Sequence, residues 1–168
     1  MSVLHSKFKI LNSNRGFTLI ELLVVISIIG ILIGLSIFAL QGARTSSRDA
    51  RRKADLELIR SGIELYHSDC DKYPVTSAPV SPTTALNTSG TGTLIGDGST
   101  TSCSTSNEYI SQIPVDPLSP NSDYLYSSDG TTYELCASLE QGTNLPAVTC
   151  GGSSACGSST CNYKVTNP

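Results

Sequence analysis

Residues Leu22 to Leu40 are nineteen consecutive positions without a charge, and a single carboxylate, Glu21, stands at their head. About 20 predominantly apolar residues suffice to cross a bilayer as a helix. The segment is therefore expected in lipid or inside an apolar assembly rather than in a small soluble core. Glu21 complicates that expectation, because an acid in a membrane helix costs roughly 2.5 to 3.5 kcal/mol on insertion scales. A cost of that size invites a partner.

Just upstream runs Asn14-Arg15-Gly16-Phe17-Thr18-Leu19-Ile20-Glu21, preceded by a short basic leader with Lys7, Lys9 and Arg15. The leader, the Gly-Phe-Thr-Leu-Ile-Glu block and the long apolar run together resemble the class III signal of type IV prepilins and type II secretion pseudopilins. The resemblance implies that a prepilin peptidase cuts after Gly16 and methylates the new amino terminus at Phe17. It also implies that Glu21 pairs with the Phe17 amine of a neighbouring subunit. The implied fold is α+β, with a long N-terminal helix, membrane-spanning in its first half, packed on a small antiparallel β-sheet head. The implied partners are further copies or related pilins in a helical filament, the peptidase, an inner-membrane assembly platform and membrane lipids. A single-pass membrane protein with an extracytoplasmic head, later a cell-surface or periplasm-spanning filament, follows from the same likeness.

Cleavage after Gly16 would leave 152 of the 168 residues and, by removing three cations, take the net charge from −3 to −6. That acidity argues against nucleic acid as the main partner, since such binding rests on neutralising phosphates. An ordinary cleaved signal peptide fits less well: the apolar run exceeds the usual h-region of about 7 to 15 residues, and Ala39-Leu40-Gln41 ends without the small residue a cleavage site needs. Lys and Arg are more numerous after the apolar run than before it, which by itself would put the C-terminal side in the cytoplasm. The six cysteines oppose that orientation. All lie beyond the helix in a small Gly/Ser-rich region, as expected of disulfides in an oxidising compartment.

We divide the chain into a leader (1–16), a transmembrane or filament-core helix (17–40), its amphipathic continuation (41–68) and a disulfide-stapled head (69–168). Residues 44–68 lack proline, and Leu56, Ile59, Ile63 and Tyr66 recur at intervals of three and four, which predicts one apolar stripe. Unbroken from 17 to 68, the helix would measure about 78 Å. Its end before Tyr73-Pro74 also resembles the pilin pattern. Gly30 and Gly34 form a G-x-x-x-G that suits close helix packing, although glycine is common in membrane helices.

Twenty of the 33 residues from Val75 to Asn107 are Ser, Thr or Gly, a loop composition with little core of its own. It includes the sequon Asn87-Thr88-Ser89. Residues 108–140 carry a short helix or strand at Glu108 to Pro114. A hairpin follows, whose strands at Tyr124-Leu125-Tyr126 and Tyr133 to Leu139 flank Asp129-Gly130. The sequence from Pro114-Val115-Asp116-Pro117 through this hairpin resembles the small sheet of major pseudopilins. Residues 141–168 read as a cysteine-rich tail lying on the sheet.

Residues 69–168 contain only fifteen Leu, Ile, Val or Phe, below the roughly 20 per cent at which acidic chains verge on disorder. The helix stripe, six tyrosines and up to three disulfides among Cys70, Cys103, Cys136, Cys150, Cys156 and Cys161 must compensate. Six cysteines allow fifteen pairings; we favour Cys70 with Cys103, Cys136 with one tail cysteine, and the last two together.

Catalytic signatures are absent, and His67, the one histidine beyond the leader, is expected in solvent on the helix. A zinc site from Cys150, Cys156 and Cys161 lacks a C-x-x-C knuckle. Asp116, Asp123 and Asp129 surround the hairpin and offer oxygen ligands of the kind calcium takes, in a region where major pseudopilins bind that ion. Solvated loop acids are the preferred reading, and no cofactor is assigned. The cations Arg44, Arg48, Arg51, Arg52 and Lys53 suit lipid headgroups or acids on neighbouring subunits better than DNA. A non-enzymatic filament subunit is the reading that unites these features. The alternative is a membrane-anchored extracytoplasmic binding protein whose stapled head recognises a ligand.

Overall fold

The computed structural model describes residues 16–141 and 145–168, so the leader other than Gly16 lies outside the described residues. Contacts divide the chain into two compact units at Gln41/Gly42, and each is described by itself.

Helix α1 (Leu19–Cys70) is a continuous 52-residue element, long and apolar enough in its first part to cross a membrane. In the first unit its described side chains are exposed, including every large apolar residue from Leu19 to Ile37 and Leu40. The helix ends two residues beyond the predicted 68. Asp71 takes a left-handed φ of 55°, its N–H donates to the His67 carbonyl at 2.9 Å, and Pro74 follows.

The second unit is built on the amphipathic part of α1. Leu56, Ile59 and Ile63 are fully buried and Tyr66 nearly so, as the stripe predicted. They face a three-stranded antiparallel sheet in the order β3 (Leu125–Ser128), β4 (Tyr133–Ala137), β7 (Tyr163–Thr166). The β3–β4 hairpin turns through Asp129 and Gly130, whose φ is 94°. Asp129 Oδ1 accepts the N–H groups of Thr131 and Thr132 at 2.9 and 2.7 Å, and these bonds hold its carboxyl down at about 2.

Tyrosine makes up the missing aliphatic volume. Tyr66, Tyr73, Tyr124, Tyr126 and Tyr133 are all core residues. Each needs a partner for its hydroxyl once buried, and α1 supplies several. Tyr73 and Tyr133 donate to the two carboxylate oxygens of Glu64 at 3.0 and 2.8 Å, and Tyr124 donates to Asp55 at 2.7 Å. Tyr126 donates to the Pro74 carbonyl at 2.8 Å.

Two segments are more ordered than their composition suggested. The Ser/Thr/Gly-rich stretch carries a short helix α2 (Pro82–Ala85) and strand β1 (Leu94–Ile95), which pairs with β2 (Glu108–Ile110). It places Leu86, Leu94 and Cys103 fully inside the core. Val80 bridges to Tyr126, and the Asn87 side chain accepts the Gly92 N–H at 2.8 Å, so local hydrogen bonds substitute for apolar periodicity. The tail does not merely lie on the sheet. After a small hairpin of β5 (Ala155–Cys156) and β6 (Ser159–Thr160), it adds β7 as the third strand, pairing Glu134 with Thr166 and Ala137 with Tyr163. Cys70 is bonded to Cys103, joining the end of α1 to the loop, and Cys156 is bonded to Cys161 across the β5–β6 hairpin.

Candidate functional site

Gly16 and Phe17 precede the helix and are exposed, Phe17 by 87%. Thr18 is the N-cap. The Glu21 N–H donates to Thr18 Oγ1 at 3.2 Å, while the Thr18 hydroxyl and N–H reach back to Glu21 Oε2 at 3.4 and 3.5 Å. This is a capping box, in which two otherwise unpaired backbone donors are satisfied reciprocally. Thr18-Leu19-Ile20-Glu21 displays its T-x-x-E signature openly. The sequence reading absorbed these residues into the processing signal and missed the cap. Within one chain Glu21 is therefore not solitary: it has a local partner and sits at the favourable positive end of the helix dipole.

Beyond the cap, the hydroxyls of Ser27 and Ser36 donate to the carbonyls of Leu23 and Leu32, both at 2.8 Å, so neither presents an unsatisfied donor to an apolar environment. Nothing lies within 4 Å of a Cβ built on Gly30 or Gly34. Both positions leave the helix backbone open to close approach by another helix.

Of the basic stripe, Arg52 turns fully inward and Arg48 partly so, while Arg44, Arg51 and Lys53 stay exposed. Arg52 is fully buried and forked onto Asp116, with Nε to Oδ2 at 2.7 Å and Nη2 to Oδ1 at 3.1 Å. Its Nη1 donates to Asp49 and Glu140, both at 2.8 Å. Arg48 adds a second fork onto Glu140, at 2.7 Å from Nε and 2.5 Å from Nη2. Asp49 also accepts the backbone N–H groups of Glu140 and Gln141 at 2.9 and 2.8 Å. Arg51 pairs with Asp55 at 3.7 Å, and Lys53 lies 5.7 Å from the Tyr163 ring centroid. The acids facing Arg48, Arg51 and Arg52 thus belong to the same chain. The signal was present in the spacing, because Asp49 and Arg52 extend the buried 56–59–63–66 stripe by the same steps of three and four.

Asp116, Asp123 and Asp129 do not come together. Asp116 is committed to Arg52 and Asp129 closes the hairpin turn, so these residues do not fit a shared calcium site, and Asp116 is buried rather than solvated. Among the described residues, the metal-ligating side chains whose donor atoms converge are Cys70, Asp97 and Cys103. Two of these sulfurs form a disulfide, and Asp97 pairs with Lys72 at 2.7 Å. That group does not suit a cation. His67, expected in solvent, stacks on Tyr73 with centroids 4.3 Å apart. Cys136 and Cys150 are buried thiols beside the Cys156–Cys161 bridge.

A family model described as the prokaryotic N-terminal methylation motif matches residues 11–37. The type II secretion system core protein G of Klebsiella pneumoniae is 31% identical over 124 residues, covering 69% of this chain and 76% of that protein. Core protein G of Escherichia coli is 28% identical over 141 residues, 78% of this chain and 85% of its own length. Over 60 residues the type IV major pilin protein PilA of Myxococcus xanthus is 37% identical, spanning 36% of this chain and 27% of the pilin. No solved structure matches the chain significantly.

Proposed function

The chain belongs to the family of type IV pilins and type II secretion pseudopilins, and on that premise we propose that it is a filament subunit processed after Gly16, methylated at Phe17 and assembled through α1. Before assembly it would sit as a single-pass membrane protein with residues 42–168 outside the cytoplasm. The observation that carries the proposal is the juxtaposition of an exposed apolar helix surface with a glutamate one turn from the cleavage motif. In lipid that surface is solvated by acyl chains. In a filament it would exchange them for neighbouring helices, with Gly30 and Gly34 permitting close contact. Glu21 would then trade its weak cap for the Phe17 ammonium of another subunit, a charge-assisted contact stronger than a neutral hydrogen bond. The likeness to core protein G over most of the chain favours a secretion-type pseudopilus over an adhesive pilus.

Mass spectrometry of the N-terminus tests the first step. Methylated Phe17 is the expected result, and an intact leader on the membrane-embedded protein refutes processing and indicates a plain anchor. Electron microscopy of sheared filaments, with identification of their main component, tests the second.

A further inference from the structure

Two disulfides account for four of the six cysteines, and the remaining two, Cys136 and Cys150, are fully buried in one core with Leu125, Cys156 and Cys161. Cys136 sits within β4, opposite Leu125 of β3. The Cys150 thiol contacts the Cys136 sulfur and lies 3.6 Å from the Leu125 carbonyl oxygen and 3.4 Å from that of Glu134. The backbone carrying Cys150 is held in place from several sides. It exchanges hydrogen bonds of 2.7 and 3.0 Å with Ser153, and the Gly151 N–H donates to Glu134 Oε2 at 2.6 Å. Gly151 has a left-handed φ of 56°, and a side chain there would overlap Ser127. The fold therefore brings the two sulfurs together without needing a bond between them.

We propose that Cys136 and Cys150 form a third disulfide in the exported protein, clamping the segment between them onto β4. The reaction is thiol–disulfide exchange. Each thiol loses its proton and the pair loses two electrons to the disulfide of an external dithiol oxidant, which leaves as two thiols while the S–S bond forms. Exchange requires a thiolate and access. Contact with Cys136 and burial push the Cys150 thiol well up, and both sulfurs are shielded once the tail is docked. One thiol therefore meets the oxidant while the tail is open, and closure brings the second sulfur to the mixed disulfide.

The full-length protein, extracted from membranes in detergent, is denatured without reductant, alkylated with iodoacetamide and cleaved after glutamate. Cleavage at Glu134 and Glu140 releases Leu135–Glu140, which holds Cys136, while Cys150, Cys156 and Cys161 stay in the C-terminal peptide. The expected result is Leu135–Glu140 linked to that peptide and unalkylated. In Cys150→Ser it should become alkylated, whereas in the double variant Cys156→Ser, Cys161→Ser the link should persist. Alkylation of Cys136 and Cys150 alone overturns the third bridge. Alkylation of all six overturns it together with the exported location on which it rests. A link that survives in Cys150→Ser overturns the pairing.

Discussion

Thr18 and Glu21 give an apolar helix a polar start that hydropathy alone does not register. The carboxylate has two candidate roles, as a local acceptor closing the cap and as a charge for a neighbour's amine, and substitution separates them. Glutamine retains the acceptor of a capping box but not the charge. Glu21→Val, which loses cap and charge, and Glu21→Gln, which loses the charge alone, are both expected to be cleaved and inserted normally yet to assemble poorly. Loss of a charge-assisted contact worth about 1.5 to 3 kcal/mol corresponds to tenfold or more in subunit association. Filament yield measured beside leader cleavage decides the matter. Wild-type yield from Glu21→Gln would assign the residue to capping alone. At this scale the cap was legible as T-x-x-E, although the same residues also lie in the expected processing signal.

Among the elements, α1 was the most legible because its buried face is periodic. Leu56, Ile59, Ile63 and Tyr66 lie where the stripe puts them. Strand β7 was obscured by the Gly/Ser-rich residues before it, although Tyr163-Lys164-Val165-Thr166 alternates: Val165 is buried and Lys164 reaches Glu134 at 2.8 Å. Leu86 and Leu94 were illegible as core, since Ala85-Leu86 and Leu94-Ile95 are apolar pairs too short to show a period, and each leucine is buried by tertiary contact rather than by pattern. Gly62 marks where such contact is tightest. A Cβ there would overlap the Ile110 side chain and lie 3.1 Å from the Tyr109 carbonyl oxygen. Alanine is the better helix former, by about 0.8 to 1 kcal/mol, yet overpacking of a close contact costs about 1 to 3 kcal/mol. We expect Gly62→Ala to be net destabilising, with a lower urea midpoint by tyrosine fluorescence. An unchanged or raised midpoint would show that β2 moves away freely.

For the second unit as a whole, the charge cluster ties α1 to loops far from it in sequence. Arg52 joins α1 to Asp116 ahead of the β3–β4 hairpin and to Glu140 just after it, so segments distant in sequence meet at one guanidinium. Replacing it by methionine preserves much of the volume but leaves Asp116 buried without its partner, a loss of about 3 to 5 kcal/mol for a broken buried pair. Arg48→Met should cost less, because Arg48 and Glu140 are partly exposed, at 31% and 26%. Acid tests the same cluster without mutation. Hydrogen bonds from Arg48, and then from Arg52, hold the Glu140 carboxyl down at about 2, below an ordinary glutamate near 4.3. A carboxyl depressed by folding stabilises the native state fully above its unfolded pKa, and that stabilisation disappears as pH falls toward the folded value. Urea midpoints of the wild type should therefore hold near neutral pH and fall from about pH 4 to 2. In Arg48→Met the fork on Glu140 is gone and only the single bond from Arg52 remains, so its carboxyl rises toward the ordinary range. The decline should start at the same pH, set by the unfolded chain, but be smaller and finish at a higher pH. Superimposable acid limbs for the two proteins would mean that Glu140 does not couple residues 48–52 to the rest of the unit.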